Sequence, residues 1–279
     1  MTDGEQVGRD RGKTAALQAV LEAYDNDPVA AVLALRDYAR NEEAYQSKRQ
    51  QRPAVVGPVL LTAKDLTKSY KLGKQRLEVL RGISLEIHEG EFIAITGSSG
   101  SGKSTLLQLL GGLDKPTSGE VWFGDKNLAK LSDSKLSDFR LRTVGFVFQF
   151  FYLQPFLSLN RNLEVPGMFA RLNSADRRER VAGLAQQVGL SDRLKHLPKE
   201  LSGGQMQRAA IARALANHPK ILLADEPTGN LDSKNSEAII SLFETIRQEL
   251  GTTIVIVTHD PAIARRADRE VRLKDGVVI

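Results

Sequence analysis

Short apolar runs and amphipathic segments alternate along most of the chain. Near-continuous apolar stretches occur at 92–96 (Phe-Ile-Ala-Ile-Thr), 144–148 (Val-Gly-Phe-Val-Phe), 220–225 (Lys-Ile-Leu-Leu-Ala-Asp) and 253–257 (Thr-Ile-Val-Ile-Val). Apolarity sustained over so few residues suits strands covered on both faces, as in a parallel sheet. Helical patterning lies between them, at 103–112, 175–189, 204–217 and 234–250, and this alternation predicts an α/β core. Residues 59–90 follow another rhythm, punctuated by Gly73, Gly82 and Gly90, and predict an antiparallel β-subdomain. Val271-Arg-Leu-Lys-Asp-Gly-Val-Val predicts a closing strand pair, with no room after it for a carboxy-terminal regulatory domain before Ile279. No internal repeat is visible, so one copy of the domain is expected.

The first 58 residues stand apart. Leu17, Val20, Leu21 and Tyr24 fall at i, i+3, i+4 and i+7 on one helical face. Asp27-Pro28 has the form of an N-cap followed by proline at the first helical position, and Val29, Val32, Leu33 and Tyr38 extend a second helix into a polar stretch. Arg52-Pro53 and Gly57-Pro58 punctuate the junction. The expected organisation is a helical extension and linker over 1–58 and one α/β domain over 59–279. The extension either packs on the main domain or serves as a docking arm.

Composition narrows the field. No run approaches the roughly 18 apolar residues of a spanning helix, and Asp3 and Glu5 sit where a secretory signal needs an apolar core. The expected location is the cytosol unless a membrane partner holds the chain. With no cysteine, disulfides and thiolate metal sites are excluded, and His88, His196, His218 and His259 are too scattered to form a ligand cluster. The formal net charge of +5 is spread among nearly as many acids, with no basic block, so no specific nucleic-acid binding is expected.

Gly97-Ser98-Ser99-Gly100-Ser101-Gly102-Lys103-Ser104 fits G-x-x-x-x-G-K-[ST], between a predicted strand and a helix opened by Thr105. Glycines let the backbone wrap so that successive amides face phosphate oxygens, and the helix amino terminus adds partial positive charge. Lys103 is expected on the β- and γ-phosphates of a nucleotide and Ser104 on Mg²⁺. A second apolar strand, Ile221 to Ala224, ends in Asp225 and Glu226. Asp225 suits a Mg²⁺ ligand acting through the ion's water shell, and Glu226, one step further out, a base that polarises the attacking water.

Leu201-Ser202-Gly203-Gly204-Gln205, ahead of a helix and between those two motifs, resembles the signature of the ABC ATPases. The resemblance covers about residues 59–279. It implies a P-loop NTPase cassette: a RecA-like parallel-sheet core, an antiparallel β-subdomain and a helical subdomain carrying the signature. It further implies that Tyr70 stacks on adenine, that Gln149 contacts Mg²⁺ and senses a membrane partner, and that His259 contacts the γ-phosphate. Gly229-Asn230-Leu231-Asp232 matches the loop that crosses to the opposite subunit. In such a homodimer Ser202, Gly203, Gly204 and Gln205 of one copy complete the ATP site of the other.

Phe148 to Pro166, Gly112 to Gly119 and Ala224 to Asp232 resemble the branch containing the LolD, MacB and FtsE ATPases. That branch implies a peripheral subunit at the cytoplasmic face of the inner membrane, driving lipoprotein release, export or envelope work through separately encoded permease subunits. The alternatives are an FtsE-like cell-division regulator and a nucleic-acid-associated ABC ATPase. The latter is disfavoured because the chain has neither a heptad run between Lys103 and Asp225 nor a second cassette. Intact Glu226 and His259 argue against a binding module without turnover. Phe146 and Phe148 are expected in strand core, whereas Phe150, Phe151, Tyr152 and Phe156 either line a groove for a membrane subunit's helix or cap the helical subdomain internally.

Overall fold

The computed structural model describes residues 57–73 and 75–279, and the helices expected in the amino-terminal extension lie outside them. These residues belong to the unit Ala54–Ile279. In chain order the elements are β1 (Val59–Leu72), β2 (Gln75–His88), β3 (Phe92–Thr96), α1 (Lys103–Leu110), β4 (Ser118–Phe123), β5 (Lys126–Asn127) and α2 (Asp133–Thr143). Then come β6 (Val144–Val147), α3 (Leu159–Phe169), α4 (Ser174–Gln187), α5 (Gly203–Ala214), β7 (Ile221–Asp225) and α6 (Ser233–Leu250). The chain closes with β8 (Thr253–Val257), α7 (Pro261–Arg266), β9 (Arg269–Lys274) and β10 (Val277–Val278).

Two sheets result. One is four-stranded and antiparallel, in the order β2-β1-β4-β5; the other is six-stranded, β10-β9-β3-β8-β7-β6. In the second, β9, β3, β8, β7 and β6 pair in parallel and only β10 runs antiparallel. The continuous apolarity of the central strands follows from this placement. Ile93, Ile95, Leu223, Val255 and Val257 face one core, shared with α1 and the antiparallel sheet. Their neighbours Phe92, Ala94, Leu222, Ala224, Ile254 and Ile256 face the other, shared with α3, α4, α5 and α6. Successive side chains point to opposite faces of a strand, so a sheet with a core on each side demands apolar residues at every position.

Several boundaries shift from the sequence expectation. Helix α1 stops at Leu110 because Gly111 caps it and Gly112 turns away at φ +66°. β6 ends at Val147, so half-buried Phe148 lies beyond the strand, whereas Phe146, on the strand, packs against the core although partly open. Helices α2 and α3 occupy stretches without a helical pattern in the sequence. α2 buries only Leu136 and Phe139. α3 contains Pro166 and follows the stretch that carries Phe150, Phe151, Tyr152 and Phe156. It is held by a buried carboxylate: Glu164, 5% exposed, accepts hydrogen bonds from Arg161 at 2.7 Å and from Arg177 of α4 at 2.9 Å.

Candidate functional site

The loop after β3 is built on glycine for steric reasons. Gly97, Gly100 and Gly102 have φ of +147°, +81° and +100°. A Cβ on Gly97 would lie 2.1 Å from the Leu273 carbonyl oxygen of β9, and one on Gly102 would lie 2.7 Å from Leu80. A side chain at either position would push the loop off the sheet edge. Lys103 is buried, and its ammonium donates to the carbonyls of Gly97 and Ser98, both at 2.9 Å. Ser98, Ser99 and Gly100 are exposed above it. The Ser101 hydroxyl is buried with no hydrogen-bond partner among the described residues. A glycine-wrapped loop, an ammonium and the α1 amino terminus are thus brought together, a combination suited to phosphate oxygens.

The acids arrive on β7, which pairs in parallel with β8 in a register that sets Asp225 against Val257. Ser104 Oγ donates to Asp225 Oδ1 at 3.0 Å. Burial raises the Asp225 carboxyl above the usual aspartate range and the adjacent Glu226 adds to this, against the Ser104 hydrogen bond and the Lys103 charge. Glu226 takes the left-handed conformation, φ +47°, and its amide donates to the Val257 carbonyl at 2.9 Å. Because β7 and β8 end side by side, the residues just past them meet: Glu226 Oε2 lies 2.9 Å from His259 Nδ1. Lys103, Ser104, Asp225, Glu226 and His259 therefore share one edge of the sheet, at the carboxyl ends of its strands, where open α/β sheets bind ligands. The oxygen donors of Ser104, Asp225 and Gln149 fit a hard cation such as Mg²⁺, which takes few protein ligands and completes its shell with water and phosphate.

The remaining expected residues are distributed around this edge. Tyr70, on β1, is half-exposed and donates from its hydroxyl to Asp114 at 3.0 Å. Gln149 is engaged by the loop after β7: Asn230 Nδ2 donates to its carbonyl at 3.0 Å, and its own amide reaches Asn230 Oδ1 at a longer 3.4 Å. Ser202 caps α5 in a reciprocal pair with Gln205, the hydroxyl accepting from the Gln205 amide at 3.3 Å and the Gln205 side chain from the Ser202 amide at 2.8 Å. Gly204 packs on the start of α6, where a Cβ would lie 2.3 Å from Asn235 Oδ1, and Gly203 faces Leu231 of the loop before that helix. Asp232 caps that helix, accepting the Asn235 amide at 2.8 Å, and the backbone and side-chain hydrogen bonds from Asn235 lower its carboxyl. Within one chain the signature turn therefore touches the crossing loop and α6, and the phosphate-binding edge is assembled from other elements.

Sequence reasoning overlooked Asp114, Lys68, Asn230 and Asn235 as partners of these residues. Their only signal is local, Lys68 sharing a strand face with Tyr70 and Asp114 following a turn glycine, and it carries no chemistry until the strands pair. Arg213 was also overlooked. Its guanidinium donates to the carbonyls of Phe151 and Tyr152 at 3.0 and 2.5 Å, fixing the aromatic loop. Phe150, Tyr152 and Phe156 are exposed on that loop, Phe156 to 92%, which rules out an internal cap for these three; Phe151 is half-buried. A groove of about 800 Å³ is lined by Leu113, Phe146, Phe148, Phe169, Arg213 and Asn217, among others, and by none of Phe150, Phe151, Tyr152 and Phe156; Tyr152 adjoins it through its edge contact with Phe148.

The profile of the ABC transporter family matches residues 80–229. A lipoprotein-releasing system ATP-binding protein, LolD of Geobacter metallireducens, is 49% identical over 220 residues, covering 79% of this chain and 98% of that protein. The uncharacterized ABC transporter ATP-binding protein YvrO of Bacillus subtilis is 47% identical over 220 residues, 79% of this chain and 96% of its own. The macrolide export ATP-binding/permease protein MacB of Syntrophobacter fumaroxidans is 47% identical over 221 residues, but only 31% of its length is matched. Among solved structures, a dimeric ATP-binding cassette in a post-hydrolysis state, bound to ADP and Pi, superposes with a TM-score of 0.73 at 45% identity, covering 78% of this chain and 96% of the cassette. A glycine-built phosphate loop, paired acids at the adjoining strand end and these relationships agree: the chain belongs to the ABC transporter ATP-binding family and is an ATPase of that family.

Proposed function

We propose that this chain is the motor subunit of an envelope machine, working as a head-to-tail dimer at the cytoplasmic face of the inner membrane with separately encoded permease subunits. The observation that carries the reading is the meeting of Ser104, Asp225, Glu226 and His259 at one sheet edge beside the Lys103 loop. Lys103 and the loop amides hold the β- and γ-phosphates, with Tyr70 on the adenine. Ser104, Asp225 and Gln149 would hold Mg²⁺, which would supply charge neutralisation on the phosphate oxygens. Glu226 accepts the proton of the attacking water, and His259, hydrogen-bonded to it, orients that carboxylate and faces the γ-phosphate. Ser202, Gly203, Gly204 and Gln205 reach the nucleotide of the opposite copy, with Asp232 anchoring the crossing loop. Ser202, exposed at the head of α5 and apart from the phosphate edge of its own chain, supports that arrangement.

The match to nearly the whole length of the LolD relative supports lipoprotein release or export with permeases on other chains. The exposed aromatics beside the groove support docking of a helix from such a permease. No helix among the described residues is long and apolar enough to cross a membrane.

The test is Glu226→Gln. It should bind Mg-ATP, lose turnover by about 10² to 10⁴-fold and accumulate as an ATP-bound dimer by size-exclusion chromatography. Wild-type turnover would remove Glu226 from the general-base role. Captured from detergent-solubilised host membranes with ATP, the same variant should recover a stoichiometric integral-membrane protein. Recovery of ribosomal or chromosomal proteins instead would sink the transporter reading and leave the ATPase assignment intact.

A further inference from the structure

Asp114 occupies a position no nucleotide motif accounts for. It follows α1, past the Gly112 turn, yet its carboxylate reaches back to β1. Oδ2 accepts the Tyr70 hydroxyl at 3.0 Å and pairs with the Lys68 ammonium at 2.7 Å, while Oδ1 accepts the Lys115 amide at 2.7 Å. Lys68 is 9% exposed and also donates to the Lys115 carbonyl at 2.7 Å. Lys68 and Tyr70 are two apart on one strand, hence on one face, and the ammonium lies 4.9 Å from the tyrosine ring centroid. One flank of the ring is thereby taken by a cation, its hydroxyl is tied, and the ring remains half-exposed.

We propose that Asp114 is a positioning residue for the base: it bolts the Tyr70 ring on the antiparallel sheet to the end of the phosphate-loop helix, presetting the gap that a purine fills. The proposal rests on the reading of Tyr70 as the adenine-stacking ring. The physical reason is pre-organisation. An untethered tyrosine on a sheet surface loses rotamer freedom when a base stacks on it, and that loss subtracts from affinity. A ring already held by its hydroxyl and by a cation has little left to lose. The Asp114 carboxylate is itself kept ionised: burial alone would raise it, but the hydrogen bonds from Lys68, the Lys115 amide and Tyr70 hold it below the usual aspartate value. The tether is therefore in place at neutral pH. It also makes the base-side sheet and the phosphate-side helix one unit, so the effect of breaking it should fall on the base and spare the phosphates.

Equilibrium binding of ADP and of pyrophosphate to the full chain separates these contributions, because pyrophosphate engages the phosphate loop and has no base. Asp114→Ala should weaken ADP by about threefold to tenfold and leave pyrophosphate unchanged. Tyr70→Phe, which keeps the ring and loses the tethered hydroxyl, should also weaken ADP selectively, and adding Asp114→Ala to Tyr70→Ala should cost nothing further. Asp114→Asn, which retains an acceptor for the phenol, should recover part of the loss and guards against a poorly folded alanine variant. Equal weakening of ADP and pyrophosphate would make Asp114 a support of the phosphate loop and overturn the proposal. If Tyr70→Ala weakens ADP while Asp114→Ala and Tyr70→Phe do not, the proposal fails and the stacking role of Tyr70 stands. If Tyr70→Ala binds ADP as the wild type does, the stacking role is what fails, and the proposal goes with it.

Discussion

At the scale of single residues, the phosphate edge trades stability for chemistry. Glu226 holds a left-handed backbone that glycine would adopt more easily, at a cost of order 1 kcal/mol, and the strain aims its carboxylate at His259. Asp225 is the clearer case. Burial raises its carboxyl above the ordinary aspartate value of 3.8, so the folded chain holds that proton more tightly than the unfolded chain does. The favourable contribution of the protonated group is complete below 3.8 and is lost as pH rises through the raised folded value. At neutral pH the ionised side chain is therefore a net burden on the nucleotide-free protein. Asp225→Asn should raise the nucleotide-free unfolding midpoint at pH 7 by about 2 °C, with the difference vanishing below about pH 4, while turnover with Mg-ATP collapses. Thermal melts across pH test this, and an unchanged or lower midpoint at pH 7 would contradict it.

At the scale of elements, helix starts were well marked. Ser132, Ser158, Asn173, Ser202, Asp232 and Asp260 each cap a helix with a side-chain oxygen, and Gly251 ends α6 in the left-handed conformation. What a cap cannot announce is a helix whose buried face carries polar groups. α3 is such a helix: Leu159 and Leu163 anchor it, but Asn162 and Glu164 are buried as well. Its junction with α4 depends on Arg177 and Arg161 closing on Glu164. Those arginine hydrogen bonds, Arg177 foremost and against the cost of burial, hold the glutamate below its ordinary value of 4.5. The sign is opposite to that at Asp225. Stability from this group is present above 4.5 and is lost as pH falls through the lowered folded value. Glu164→Gln should cost about 1 to 2 kcal/mol in urea unfolding at pH 7, because the largely covered Arg177 is left without its counter-charge, and progressively less in acid. A loss independent of pH would mean that shape, and not charge, joins the two helices.

At the scale of the whole molecule, the phosphate edge and the groove beside the aromatic loop are linked by the stretch from β6 to Gln149. Phe146 and Phe148 stack with centroids 5.7 Å apart and line the groove, while Gln149, the next residue, is bound by the crossing loop through Asn230. On the function proposed above, a partner seated in the groove would press on the segment that leads directly to Gln149. Phe156→Ser and Phe169→Ser alter side chains that are 92% and 73% exposed, so the fold should tolerate them. Together they should reduce recovery of the membrane partner by about tenfold or more, with basal hydrolysis within about twofold of wild type. Undiminished recovery would move the docking surface elsewhere.

How much of this was legible depends on the range of the interaction. The sequence alone placed the alternating α/β core and the antiparallel β-subdomain, and it located Gly97 to Ser104, Asp225-Glu226 and the signature, because local periodicity, caps and loop chemistry are written in consecutive residues. It could not place α2, which buries only Leu136 and Phe139, or α3, which contains Pro166 and buries Asn162 and Glu164 beside its leucines. Nor could it join Glu226 to His259, Asn230 to Gln149, Asn235 to Gly204 or Asp114 to Tyr70. Each of those contacts forms only when the strands and helices bearing its two members are set side by side. Pairing across the sheet and packing between helices are decided by the burial of two whole cores, which no short window of sequence contains.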